Sequence, residues 1–238
     1  MGLEGVDVVR PPAEATPETA PGSVPWSARE DGGGPTSDAP MSAMGRIWDA
    51  LRLLGILLTY VVARRPVRPL GDEATRPLPG DELVAGPKLR WNLATTIDGR
   101  PADIWPWLVQ MGCRRAGWYS YDGLDNGGVP SADRIVPELQ QVQVGDVFPM
   151  RPQDYDTFVV RLVERERALV IGDAAGGMSR AFVLEPVDEN TTRLITRIRA
   201  THDSLALGLF LKVFWHPAHF AMQRKQLLNV KRLVEATP

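Results

Sequence analysis

Five short strand-like runs, 144–150, 157–164, 168–172, 180–187 and 191–201, crowd together and are followed by one long helical stretch, 204–235. Strands separated by so few residues must pair as antiparallel neighbours, because a parallel crossover needs a dozen residues or more. Glu164 to Arg167 and Asp188 to Asn190 read as hairpin turns, so the runs form a meander. In the closing stretch Phe220, Leu227, Val230 and Val234 make one apolar stripe, with Arg224, Lys225, Lys231 and Arg232 elsewhere. Pro217 is expected to kink or split that helix.

A further strand precedes these elements. Leu89, Trp91, Leu93, Thr95 and Ile97 alternate with Arg90, Asn92, Ala94 and Thr96, the pattern of a half-buried strand that Asp98-Gly99 ends. Pro101 suits a first helical position, and Ile104, Trp105, Leu108, Val109 and Met111 form an apolar stripe that Gly112 stops. Pro106 lies in the first turns, where its missing N–H does least harm. Ser131 is a candidate N-cap for a second short helix, 132–140, whose length Pro137 limits. The order predicts an α+β fold: a curved antiparallel sheet wrapped around a long C-terminal helix, with two short helices after the first strand. Such a sheet and helix enclose an elongated apolar space, either packed with side chains or left as a ligand cavity.

The remaining segments divide the chain. Residues 1–45 hold seven Gly and seven Pro with little aliphatic clustering, and their acidic residues outnumber their arginines. They read as a disordered acidic tail, and Met41 and Met44 are alternative starts that would remove it. Residues 46–65 are an apolar helix. The stretch 47–63 would be about 26 Å long at ~1.5 Å per residue, the short limit for a span, and Arg64, Arg65 and Arg68 follow it. It is either a membrane anchor, spanning or interfacial, or a helix packed on its own domain or on a partner. Residues 66–87 read as a Pro- and Gly-punctuated linker, and 88–238 as the folded domain. Either membrane reading leaves that domain on the cytoplasmic side.

A net charge of −2 and the lack of a basic patch argue against nucleic acid as a partner. Cys113 stands alone, which rules out an intrachain disulfide and suits a reducing compartment. His202, His216 and His219 with that one thiol show no paired metal-ligand spacing, and Gly172 to Gly177 lacks the Lys-Ser/Thr of a phosphate loop. No metal and no cofactor is expected.

The chemistry-bearing residues concentrate at 105–126, where Trp105, Trp107, Trp118, Tyr119, Tyr121, Asp122 and Asp125 lie within 22 positions. Such rings build either a core corner or a ligand wall. Asp122 and Asp125 are either a desolvated acid–base pair or caps of a turn around Gly123 and Asn126. His202, beside Asp203, is a capping or solvent-facing residue or a proton shuttle. Arg193, Arg197 and Arg199 share one strand face, expected to be the solvated one.

Thr-Ile-Asp-Gly-Arg-Pro-Ala-Asp-Ile-Trp-Pro-Trp-Leu-Val-Gln-Met-Gly (96–112), Arg-Ala-Gly-Trp-Tyr-Ser-Tyr-Asp (115–122), Ser-Ala-Asp-Arg-Ile-Val-Pro-Glu-Leu-Gln (131–140) and Val-Gly-Asp (144–146) resemble the SRPBCC superfamily. The likeness covers about residues 72–235 and is nearest an actinobacterial-type branch of unassigned activity. It implies the helix-grip fold of START, Bet v 1 and polyketide-cyclase-like proteins, with a hydrophobic cavity beneath the C-terminal helix. That fold hosts carriers, receptors and cyclases, so it implies no catalytic set. Trp107, Trp118, Tyr119, Tyr121, Asp122 and Phe214 are the candidate ligand-binding residues, and none is assigned a catalytic role. The expected function is binding or carriage of a hydrophobic small molecule or lipid near a membrane. The alternatives are a cyclase- or dehydratase-like enzyme using Tyr119, Tyr121, Asp122 or His202, and a structural or partner-binding protein.

Overall fold

The computed structural model describes residues 67–152, 157–201 and 216–237, together with Met44, Leu51, Gly55 and Ser204. Its centre is a six-stranded antiparallel sheet of β1 (Leu89–Asp98), β2 (Val147–Pro149), β3 (Thr157–Glu164), β4 (Ala168–Asp173), β5 (Met178–Pro186) and β6 (Thr191–Ala200). The spatial order is β1-β6-β5-β4-β3-β2. Every strand from β2 to β5 pairs with the next in the chain, as short turns require. β1 closes the far edge against β6, Leu89 opposite Ala200 and Asp98 opposite Thr191. Between Val160 and Leu162 the β3–β4 register slips, a bulge of the kind that sharpens a sheet's twist.

Three helices complete the described fold: α1 (Pro101–Val109), the single turn α2 (Asp122–Asp125) and the long α3 (His216–Glu235). α1 begins as its sequence requires. Pro101 occupies its first turn, and the Asp103 carboxylate accepts from the backbone N–H of Arg100 at 3.0 Å. At its other end, Arg115 donates to the carbonyls of Val109 (2.9 Å) and Met111 (3.0 Å), which the helix itself leaves unpaired. The helix expected over 132–140 does not form. Only a 3-10 turn, Pro137–Leu139, is present, since Pro137 cannot donate to a preceding helical carbonyl.

One face of the sheet packs against α3. Leu89, Trp91, Leu93 and Ile97 of β1, Phe182 and Leu184 of β5, and Leu194 and Ile198 of β6 join Phe220, Leu227, Val230 and Val234 in a single core. This gripping of one long helix by an antiparallel sheet is the helix-grip arrangement that the sequence resemblance implied. The split expected at Pro217 falls at the edge of the described part of α3, and residues 205–215 lie outside the described residues.

The opposite face holds a difference from expectation. Arg193, Arg197 and Arg199 do share it, but it is covered rather than solvated. The stretch from Val67 to Val84, read from its composition as linker, straps across it and buries Leu78 against Ala94, Val170, Ala181, Val183 and Ile195. Glu73 receives Arg193 through two hydrogen bonds, 2.7 and 2.9 Å, and Asp81 receives Arg197 at 2.5 Å and Arg199 at 3.3 Å. Arg197, 1% exposed, also donates to Asn92 Oδ1 and to the carbonyls of Arg76 and Glu73. Gly80 makes the approach possible. Its φ is +85°, and a Cβ there would lie 2.6 Å from Val170 Cγ1.

Among the described residues no helix is long and apolar enough to cross a membrane. Apart from Leu51 and Gly55, the 47–63 segment lies outside them, as do residues 1–43 of the acidic tail.

Candidate functional site beneath the C-terminal helix

The aromatic segment after α1 runs along the flank of α3 and is fastened to it at three points. Ser120 Oγ donates to the Met222 carbonyl (3.1 Å), Gln226 Nε2 to the Trp118 carbonyl (2.8 Å) and Asn229 Nδ2 to the Tyr119 carbonyl (2.8 Å). Trp118, Tyr119 and Tyr121 are all buried. Trp118 meets Phe158 edge-on with ring centres 5.9 Å apart, and Tyr119 meets Trp107 in the same way at 6.0 Å. The Tyr119 hydroxyl is paired with Gln110 Nε2 at 2.6 Å, and burial pushes its pKa up. Lys225 Nζ sits 4.0 Å from the centre of the Tyr121 ring.

Asp122 is held by Ser131 at the start of the turn α2. Its Oδ1 accepts from Ser131 Oγ at 2.6 Å, and Ser131 Oγ in turn accepts the Tyr119 N–H at 3.0 Å. Ser131 thus pins the aromatic loop rather than capping a helix. Gly117 (φ +81°) lets it do so, because a Cβ there would fall 2.3 Å from Ser131 Oγ. Tyr119, Asp122, Ser131, Lys225, Asn229 and Arg232 line an outer notch of about 130 Å³. That is well below the roughly 300–1,000 Å³ of small-molecule pockets. Phe214 and His202 lie outside the described residues.

Deeper in, the sheet presents a polar centre that the sequence reading did not single out. Trp91, Ile198, Arg180, Ile171 and Val160 lie side by side across five strands. His219, Gln223 and Gln226, spaced four and three residues apart on α3, lie on one face of the helix. His216 and His219 stand edge-on to Trp91, with ring centres at 5.2 and 5.8 Å. Arg180 donates to Gln226 Oε1, and its guanidinium lies 4.5 Å from the centre of the Phe182 ring.

Much of this buried polarity is unused. Among the described residues, the indole N–H groups of Trp91 and Trp118, the Nε of Arg180, the Thr196 hydroxyl and both amide atoms of Gln223 find no hydrogen-bond partner. Gln223 is 2% exposed. Leaving such groups unmet costs ~1–3 kcal/mol each, so several clustered in one interior require an explanation. The set is also rich in donors and carries a positive charge, which suits a ligand that offers acceptors.

Burial governs the titrations here. It pushes the Arg180 guanidinium down to about 9 despite the nearby Asp125. Burial, with Arg180 and His216 adding to it, pushes His219 down to about 3 and keeps that imidazole neutral. Asp125 is pushed up to about 7 by burial and then by Asp122, against the opposing pull of its Ser120 hydrogen bond and Lys225. Asp125 is therefore poised near neutrality.

The strand order and the seat of α3 define the class: an α+β helix-grip protein. No family model matches the chain, and no curated protein matches it. Solved structures of similar outline include the Aha1 dimer from Colwellia psychrerythraea, 18% identical, covering 62% of this chain and 97% of that one at a TM-score of 0.41. The Polyketide_cyc-like protein from Corynebacterium glutamicum is 12% identical, covers 61% and 91%, and scores 0.34. The AHSA1-like protein from Aeromonas hydrophila is 16% identical, covers 62% and 93%, and scores 0.36.

Proposed function

We propose that this chain binds and carries a hydrophobic small molecule or lipid between α3 and the sheet, and that residues 47–63 hold it near a membrane. The observation that supports this reading is the cluster of buried, unpaired polar atoms on Arg180, Gln223, Trp91, Trp118 and Thr196 within an otherwise apolar core. A bound molecule with an apolar body and a polar head would meet both parts of that surface. Trp107, Trp118, Tyr119, Tyr121, Asp122 and Phe214 belong, in this reading, to the wall and mouth of the site. The three hydrogen bonds from 118–121 to α3 act as its latch, loosening to admit the ligand.

A second reading, a cyclase- or dehydratase-like enzyme, draws on Asp125, whose carboxyl near 7 could exchange a proton at neutral pH. In that case Asp125→Asn abolishes turnover but leaves binding intact. Binding is tested by native mass spectrometry of the full chain purified without detergent, followed by extraction. The expected result is a discrete small-molecule adduct that solvent releases. A protein that carries no adduct and takes up none from added lipid contradicts the proposal.

A further inference from the structure

Three arginines of the sheet are buried, and two of them have carboxylate partners. Arg193 faces Glu73 and Arg197 faces Asp81, both on the strap of the outer face. Arg180, on the inner face, has none among the described residues. Its guanidinium meets the amide of Gln226 and the ring of Phe182, and its Nε–H has no hydrogen-bond partner among the described residues. A cation taken out of water needs a counter-charge or a shift to its neutral form, and a guanidinium resists the latter strongly. Asp125 is near enough to favour the charged guanidinium but forms no ion pair with it, and it is itself held partly protonated. One turn before Gln226 on the same helix face, Gln223 offers a free amide.

We infer that Arg180 is the anion-binding residue of the interior, and that it receives the carboxylate of an apolar monocarboxylic acid alongside the Gln223 amide. This rests on the reading that a small molecule binds beneath α3. The guanidinium fork matches a carboxylate in shape, and its free Nε–H is one of the two parallel donors that such a pair uses. A single guanidinium balances a single negative charge. A phosphomonoester brings roughly −1.5 to −2 at neutral pH, more than Arg180 offsets, and Asp125 nearby opposes the excess. The carboxylate would leave the apolar body of the acid among Leu93, Phe182, Ile198 and Leu227.

The full chain, stripped of bound lipid, is titrated with cis-parinaric acid and with its methyl ester, and binding is read from polyene fluorescence. The acid is expected to bind at least about tenfold more tightly than the ester. Arg180→Met, which removes the charge but keeps a stem of similar length, brings the acid down to the ester's level and leaves the ester within about twofold. Gln223→Leu weakens the acid selectively and less severely. Equal binding of acid and ester by the unaltered chain overturns the headgroup inference while leaving hydrophobic binding intact. Binding of neither probe defeats the underlying reading instead. If Arg180→Met fails to fold, the acid-to-ester ratio of the unaltered chain and of Gln223→Leu decides. Displacement of the probe by dodecyl phosphate more readily than by dodecanoate would assign the site to phosphates and overturn the carboxylate.

Discussion

The side-chain amide of Gln226 donates to the backbone carbonyl of Trp118 at 2.8 Å, fastening α3 to the aromatic loop. The same amide accepts from Arg180, so one side chain joins loop, helix and sheet. Gln226→Ala would orphan a buried guanidinium and a buried carbonyl together. We expect a loss of ~2–4 kcal/mol, measured by urea denaturation, with the loop 118–121 becoming sensitive to proteolysis. A loss below about 0.5 kcal/mol would show that the junction carries no load.

The strap over the outer face makes a separate prediction. Asp81→Ala leaves Arg197 and Arg199 without their shared carboxylate, Arg197 being almost wholly buried. Breaking a buried pair from one side costs about 3–5 kcal/mol. Denaturation should report that loss, and hydrogen exchange should report opening of 67–84. Unchanged protection there would contradict the packing.

Stability should depend on pH through two buried groups of opposite sign. Asp125 has its folded pKa raised to about 7 from the ordinary 3.8, so the folded state holds the extra proton. Its contribution is full at low pH and is lost as pH climbs from about 4 to 7. His219 is depressed to about 3 from 6.5, so the unfolded state binds the extra proton. Its contribution is lost at low pH and grows as pH rises from about 3 to 6.5. Melting temperatures of Asp125→Asn should exceed those of the parent above pH 7, and His219→Gln should flatten the acid side of the profile. The reverse signs would show that neither group titrates as a buried one.

Tyr119→Phe tests whether the aromatic loop is scaffold or headgroup contact. The hydroxyl is already engaged by Gln110, whose amide also donates to the Arg134 carbonyl at 3.0 Å. Its removal should cost ~0.5–1.5 kcal/mol in chemical denaturation and leave ligand affinity unchanged. A large affinity loss at unchanged stability would place the hydroxyl against the ligand.

Much of the fold was legible from residue spacing. Leu89 to Ile97 alternates because one face of β1 is buried under α3, and that alone sets a period of two. Thr157–Glu164 coincides with the expected strand, since turn residues bound it on both sides. The strap was not legible. Pro and Gly mark a chain that is not a helix or strand, but they do not say what it covers, so Arg193, Arg197 and Arg199 looked solvated. Of the proposed site, only the rim stands out in the sequence. Trp118 and Tyr119 stand out by composition, whereas Arg180 is one charged residue in an apolar strand. Its place between Met178 and Phe182, on the inward-facing alternation of β5, was the available signal. Gln223 and Gln226 likewise sit within the stripe of Phe220, Leu227 and Val230, and a polar residue on a core stripe is easily passed over.

The most direct measurement follows the indole N–H resonances of Trp91 and Trp118, which have no hydrogen-bond partner among the described residues. They are assigned by Trp→Phe substitution and recorded while the full chain is titrated with dodecanoate. Binding beneath α3 predicts that both signals move and saturate together, with the exposed Val144 and Val187 amides unmoved. Shifts confined to surface residues, or none in either indole, would contradict a ligand site in this interior.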